Sequence, residues 1–144
     1  YFIPDESIQT ALLMATMSGV EVNLMFPCKP DHPFVYWATL SYVGELIMAG
    51  ANCYTYDNGF LHAKGLSIDG KACCYGTANM DIRSFALNFE VNAMIFDQNI
   101  AGEMERIFRE DLKCCTRITK EMYKSRSVWI RFKEQISRLL SPVL

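Results

Sequence analysis

The stretch HAKGLSIDGKACCYGTAN, residues 62–79, decides the fold of this 144-residue chain. Two short apolar runs flank Asp69-Gly70, a dipeptide typical of two-residue hairpin turns. We therefore expect a strand over residues 62–68 and a returning strand over 71–75. Because residues two apart lie on one face of a strand, His62 and Lys64 would project together.

This pair of side chains suits phosphoryl transfer. A neutral imidazole can attack phosphorus, and an ammonium group beside it can stabilise the charge that builds on the phosphoryl oxygens. Just after the hairpin, Thr77 and Asn79 add a hydroxyl and an amide that can donate to phosphate. A lone histidine is more often structural than catalytic, so the case for His62 rests on the spacing of the whole segment.

Outward from the hairpin, the chain alternates helical and strand patterns. Apolar spacing and stop signals predict a helix from residues 4–6 to Gly19, a strand at 20–26, a helix at 34–48, strands at 52–56 and 87–96, and two or three helices over about 100–115 and 119–140. This order predicts an α/β protein with a mixed β-sheet flanked by helices. The composition, 51% hydrophobic and 21% charged, is that of one compact domain spanning residues 1–144.

Charge and cysteine usage narrow the function classes. Residues 1–105 hold four basic and twelve acidic residues, whereas residues 106–144 hold ten basic and four acidic ones. The acidic balance around the hairpin argues against a nucleic-acid partner. The six cysteines lack the spacing of zinc ligands, and a reducing compartment is the simplest interpretation. No stretch approaches the ~20 apolar residues that a membrane-spanning helix needs.

The motif resembles the phospholipase D superfamily. That family is marked by His-x-Lys-x₄-Asp and, after six intervening residues, Gly-Ser/Thr-x-Asn. The matching positions here are His62, Lys64, Asp69, Gly76, Thr77 and Asn79. Further segments, including residues 1–6, 29–33, 78–85, 87–92 and 139–142, resemble the C-terminal half of bacterial cardiolipin synthases. The resemblance covers nearly the whole chain and implies a phospholipase D-like α/β/α sandwich that forms one half of a pseudo-twofold enzyme.

The resemblance also implies catalytic roles for individual positions. His62 would be either the nucleophile that forms a phosphatidyl-histidine or the acid that protonates the leaving alcohol. Lys64 and Asn79 would hold the phosphoryl oxygens, assisted by Thr77, and Glu90 would accept a hydrogen bond from the imidazole. Asp69 completes the motif, although its expected place in the hairpin turn suggests structural support. No metal or other cofactor is implied.

The implied reaction is transfer of a phosphatidyl group between two phosphatidylglycerol molecules, giving cardiolipin and glycerol. It requires two facing motifs, and His32 is not followed by a lysine two residues on, so the second motif would come from an upstream half or from a homodimer mate. The chain begins at Tyr1, and we expect a piece of a longer protein. The upstream part would anchor the parent enzyme in the bacterial cell membrane, leaving this piece soluble or peripheral.

Four points remain open on sequence alone. The same site could hydrolyse a lipid or nucleic-acid phosphodiester, or the isolated piece could be a non-catalytic half. His32 could touch a lipid headgroup or cap a helix, and Arg83 could bind phosphate or pair with Asp81 or Glu90.

The tail at about 119–144 is basic and amphipathic. An apolar stripe of Trp129, Phe132, Ile136, Leu139 or Leu140, and Val143 runs opposite basic side chains. It could lie in an anionic membrane interface or dock on the domain. The sequence favours docking for most of the stripe, with the basic face still drawn toward anionic lipid.

Overall fold

The computed structural model describes residues 1–29 and 33–140. In chain order the elements are β1 (Phe2–Ile3), α1 (Glu6–Met17), β2 (Asn23–Pro27), α2 (Pro33–Ala49), β3 (Asn52–Tyr56), β4 (Gly65–Ile68), β5 (Ala72–Gly76), β6 (Met80–Asp81), α3 (Ile82–Ala86), β7 (Asn92–Ile95), α4 (Gln98–Asp111), a 3₁₀ turn (Leu112–Cys114), β8 (Cys115–Ile118), α5 (Lys120–Lys124) and α6 (Val128–Leu140). The predicted α/β class is confirmed.

The strands of the described chain form three short sheets. The first joins β2 and β3 in parallel and adds β8 antiparallel to β3. The second is the antiparallel series β4, β5 and β7, and the third is the parallel pair β1 and β6. The mixed strand directions agree with the prediction, but they are distributed over separate small sheets.

Helix α2 is the centre of the core. Its Ala38, Val43 and Leu46 side chains have no exposed surface, and Phe26 and Cys53 pack from the neighbouring strands. The helix is apolar on nearly all sides, as expected for one surrounded by other elements. It contacts α1, α5, α6, β1 and β3. Local signals set the entry to α1, where the Asp5 carboxylate accepts from the Ile8 amide at 2.8 Å.

Several predicted boundaries are wrong. The strand predicted over 62–68 begins at Gly65, and the one predicted over 87–96 is limited to Asn92–Ile95. The helix predicted to reach residue 115 ends at Asp111, because Cys115–Ile118 pairs with β3. A long-range ladder therefore overrides local helical spacing there. The predicted stop at Ser141-Pro142 lies outside the described residues.

The tail docks in the orientation opposite to the one we predicted. Helix α6 turns Glu134 and Ser137, each 1% exposed, toward α2, and the stripe residues Trp129 and Leu139 are 75% and 81% exposed. Val143 lies outside the described residues. The buried carboxylate of Glu134 is paired with Arg126, whose guanidinium also covers the Tyr123 ring at 3.1 Å. This polar contact, invisible to apolar periodicity, sets the helix face that meets the domain.

A second polar tie joins α6 to α2. Arg138 pairs with Glu45 and lies over the Tyr42 ring at 4.6 Å. Glu45 also accepts from the Gln9 side-chain amide at 2.9 Å, which brings α1 into the same network. The inner face of α6 thus carries two ion pairs, one at Glu134 in mid-helix and one at Arg138 a turn later.

Candidate active site

His62 and Lys64 lie in the irregular segment just before β4, so their expected placement within a strand is wrong. The Lys64 ammonium donates to the His62 carbonyl at 2.9 Å, and the His62 ring stacks on Phe60 with centroids 5.8 Å apart. Both side chains nevertheless line one cavity. Their proximity comes from this local hydrogen bond and stacking contact.

Asn79 reaches the same cavity from the turn after β5. The turn is held by hydrogen bonds at each step: the Val91 amide donates to the Thr77 hydroxyl at 2.9 Å, and the Asn79 amide donates to the Ser84 hydroxyl at 3.2 Å. Thr77 itself is exposed and is not among the residues that line the cavity. The cavity therefore brings together His62, Lys64 and Asn79, with Thr77 in a supporting position.

The Glu90 carboxylate is hydrogen-bonded to this turn through Thr77. Its pKa is lowered chiefly by a hydrogen bond from Thr77, with smaller contributions from Asn88, Ser84 and the charge of Lys64. The Asn88 amide donates to it at 3.3 Å. Among the contacts that the structure describes, Glu90 meets Thr77, Asn88 and Ser84, and none joins it to the His62 imidazole. A hydrogen bond between Glu90 and His62 stays a prediction.

Asp69 lies away from the cavity. It occupies the hairpin turn with φ +52°, followed by Gly70 at φ +61°, and its side chain is exposed. Two successive residues with positive φ are typical of a type I′ turn. This position is consistent with the structural role suggested above for Asp69.

Position 76 has no room for a side chain, so the site requires glycine there. A Cβ there would lie 2.1 Å from the Val91 carbonyl oxygen and 2.0 Å from the Asn92 side-chain oxygen. The backbone oxygen cannot move without breaking the pairing of β5 with β7.

We expect Gly76→Ala to separate β5 from β7 and displace the turn that carries Asn79. The variant should lose roughly 1–3 kcal/mol of stability, the usual cost of overpacking. Thermal unfolding followed by circular dichroism measures this loss. Gly102→Ala is the matched control, because a Cβ at Gly102 meets nothing within 4 Å. Equal stability of the two variants would contradict the prediction.

The cavity has a volume of about 500 Å³ and a mostly apolar wall. Apolar side chains from α1, β2, α2, α3 and the loop before β4 form most of it, including Leu12, Phe26, Val35, Phe60, Leu61 and Phe85. Lys29 and Lys64 contribute two positive charges, and no Asp or Glu is among the described lining residues. Such a site suits an anionic group attached to an apolar body.

Sequence reasoning assigned no role to Lys29. It follows the carboxyl end of β2, which is parallel to β3, and ligands in α/β folds bind beyond the carboxyl ends of parallel strands. The position of Lys29 after a predicted strand is the sequence signal that could have identified it as a site residue. Arg83 lies on α3, exposed and outside the cavity lining, and His32 lies outside the described residues.

The described residues are 1–29 and 33–140. They contain no group of three or more histidine, cysteine or carboxylate side chains placed to hold a metal ion. None of their helices has the length and apolarity needed to cross a membrane.

Comparison with known families is decisive for the assignment. The family described as "Cardiolipin synthase, PLD-like domain" matches residues 1–112. The chain belongs to this phospholipase D-like family. A phospholipase D family member, Nuc from Salmonella typhimurium, shares the fold with a TM-score of 0.71 at 18% identity, over 83% of this chain and 78% of that one.

Curated relatives place the chain within this phospholipase D-like family more narrowly. It is 57% identical to a cardiolipin synthase of Oceanobacillus iheyensis and 57% identical to the major cardiolipin synthase of Bacillus subtilis. Cardiolipin synthase 1 of Staphylococcus epidermidis is 56% identical. Each match covers the whole chain but only 29–30% of the relative, so the chain spans under a third of their length.

Proposed function

We propose that this chain is the C-terminal catalytic half of a cardiolipin synthase, acting on phosphatidylglycerol at an anionic membrane. The observation that carries the proposal is the apolar cavity in which His62, Lys64, Lys29 and Asn79 meet, with no carboxylate among its described lining residues. Cationic and amide donors bind a phosphodiester, and apolar walls accept the glycerol backbone and the start of the acyl chains. Apolar walls favour a lipid over a nucleic acid.

The proposed reaction has two steps through a phosphohistidine. One motif histidine attacks phosphorus of phosphatidylglycerol, a P–N bond forms, and the P–O bond to glycerol breaks as the other histidine protonates the leaving oxygen. A hydroxyl of a second phosphatidylglycerol then gives its proton to that same histidine and attacks phosphorus. The P–N bond breaks and cardiolipin is released. Lys64 and Asn79 stabilise the phosphoryl oxygens throughout.

A second motif must be supplied by another polypeptide segment. In the described chain β7 pairs only with β5, so the other edge of β7 is open. This exposed face lies beside the site and suits the partner. Large apolar side chains are exposed on and around that edge: Leu87, Phe89, Val91, Met94 and Phe96. We propose that the upstream half of the parent protein, or a homodimer mate, covers this face and closes the cleft.

The test is a lipid-product assay with phosphatidylglycerol in mixed detergent micelles. The chain is assayed alone and after co-expression with its upstream half, and lipids and free glycerol are quantified. We expect cardiolipin and glycerol in equal amounts from the pair. Phosphatidic acid without cardiolipin would replace the synthase by a hydrolase, and no product from the pair would contradict a catalytic role. Cardiolipin from the chain alone, with a dimeric mass in solution, would assign the second motif to a homodimer mate.

A further inference from the structure

Helix α6 presents a continuous apolar ridge to solvent. We define the ridge as Val128, Trp129, Phe132, Ile136, Leu139 and Leu140, whose exposed fractions range from 40% to 81%. At 100° per residue these positions cluster on the side of the helix opposite Glu134 and Ser137, which face α2. Trp129 and Phe132 touch edge to face, with ring centroids 6.4 Å apart.

The outward direction of the ridge is imposed by the inner face of α6. Rolling α6 about its axis would separate the buried Glu134 carboxylate from Arg126 in the connection between α5 and α6, and would break the pair between Arg138 and Glu45 of α2. Burial raises the pKa of Glu134, while the guanidinium of Arg126 opposes that rise. Breaking a buried pair is strongly unfavourable because it leaves an uncompensated charge. The domain therefore holds the apolar side of α6 away from itself.

An exposed apolar surface of this kind marks an interaction site. The charges around the ridge select its occupant. Exposed basic side chains lie on the same two helices: Lys120 and Lys124 on α5, and Arg131 and Lys133 on α6. The carboxylates of the two helices are Glu121 and Glu134, and Glu134 is buried with Arg126. A cationic rim around tryptophan, phenylalanine and leucine complements the headgroup region of an anionic bilayer.

The ridge is separate from the face that we assign to the partner half. Helix α6 packs on α2, whereas the exposed apolar residues near the site belong to the β7 edge and the segment before it. Helix α2 connects the two regions, since its Val35, Tyr36 and Thr39 line the cavity while Trp37 lies 5.5 Å from the Lys133 ammonium. A lipid surface in contact with α6 would thus lie one helix away from the cavity.

We propose that α6 is an interfacial membrane-binding helix, whose apolar ridge enters the headgroup–acyl boundary of an anionic bilayer while its inner face stays docked on α2. The proposal deepens the proposed function and rests on it for the link between the bilayer and the lipid substrate. It assigns to the domain itself an affinity for the membrane.

The test is binding of the 144-residue chain to vesicles of phosphatidylcholine alone or with an equal amount of phosphatidylglycerol, measured by flotation. We expect tight binding to the mixed vesicles only, weakening as salt is added. Trp129→Ser combined with Leu139→Ser should weaken binding at least tenfold, because a buried side chain of this size contributes about 1.5–3 kcal/mol, which is roughly a 10- to 150-fold change in affinity. Lys120→Glu with Lys124→Glu should weaken it about fivefold per charge removed.

The matched control is Leu87→Ser with Phe89→Ser, which removes equally exposed apolar side chains from the partner face. It should bind mixed vesicles as the unaltered chain does. Circular dichroism confirms that each variant is folded. Equal binding by the ridge variant and the control, or no binding of the unaltered chain to mixed vesicles, would overturn the proposal. Since the product assay presents lipid in detergent micelles, failure of vesicle binding and failure of catalysis are read separately.

Discussion

Replacing His62 by alanine should abolish cardiolipin formation by the paired halves. The side chain is exposed at the cavity and stacks on Phe60, so its loss removes the reacting group while leaving the core intact. As a general acid it would account for about 10²–10⁴ in rate, and as the nucleophile for more, since no phosphohistidine could form. The measurement is initial cardiolipin production from phosphatidylglycerol.

An activated substrate separates the two roles of His62. In a phosphatidyl ester of p-nitrophenol, the p-nitrophenolate group leaves without protonation. The His62→Ala variant should therefore release p-nitrophenolate from this substrate if His62 is only the acid, and should not if His62 is the nucleophile. An unchanged melting temperature confirms that the variant is folded. Near-normal turnover of phosphatidylglycerol by His62→Ala would contradict the proposed function.

Replacing Lys64 by alanine should lower kcat by about 10²–10³, the usual effect of removing one donor from developing oxyanion charge. The loss should fall mainly on kcat, because the charge on the phosphoryl oxygens grows in the transition state. Lys64 also donates to the His62 carbonyl, so the variant loosens the segment that carries the histidine. Steady-state kinetics with phosphatidylglycerol separate kcat from KM.

Lys71→Ala is the matched control for Lys64. Lys71 carries the same charge and lies exposed next to the hairpin turn, outside the cavity lining. Its replacement should leave kcat unchanged, and Lys64→Arg should keep part of the activity because the positive charge remains. A Lys64→Ala enzyme within about threefold of the Lys71→Ala enzyme would exclude Lys64 from phosphoryl stabilisation, since a lost donor costs far more than that.

Local sequence signals predicted several elements well. The first turn of α1 near residues 4–6 and the Asp69-Gly70 turn depend on contacts within a few residues, and both are present. The predicted strand Asn52–Tyr56 is also present, although its partners are distant in sequence. The predictions failed where distant partners compete. We predicted no strand between the helices at about 100–115 and 119–140, yet Cys115–Ile118 forms one because the edge of β3 offers backbone hydrogen bonds. Residues 62–64 read as strand, yet the pairing with β5 starts only at Gly65.

The sequence by itself determined the family of the chain and the residue types that we propose for the chemistry. A motif is defined by residue types and their spacing along the chain, and both can be read directly from the sequence. Only the tertiary structure decided that Lys29 joins His62, Lys64 and Asn79 in one cavity, and that Asp69 stays outside it. It also decided which side of α6 faces water. Amphipathic periodicity defines two faces of a helix, but the ion pairs of Arg126 with Glu134 and of Arg138 with Glu45 select the polar one for docking.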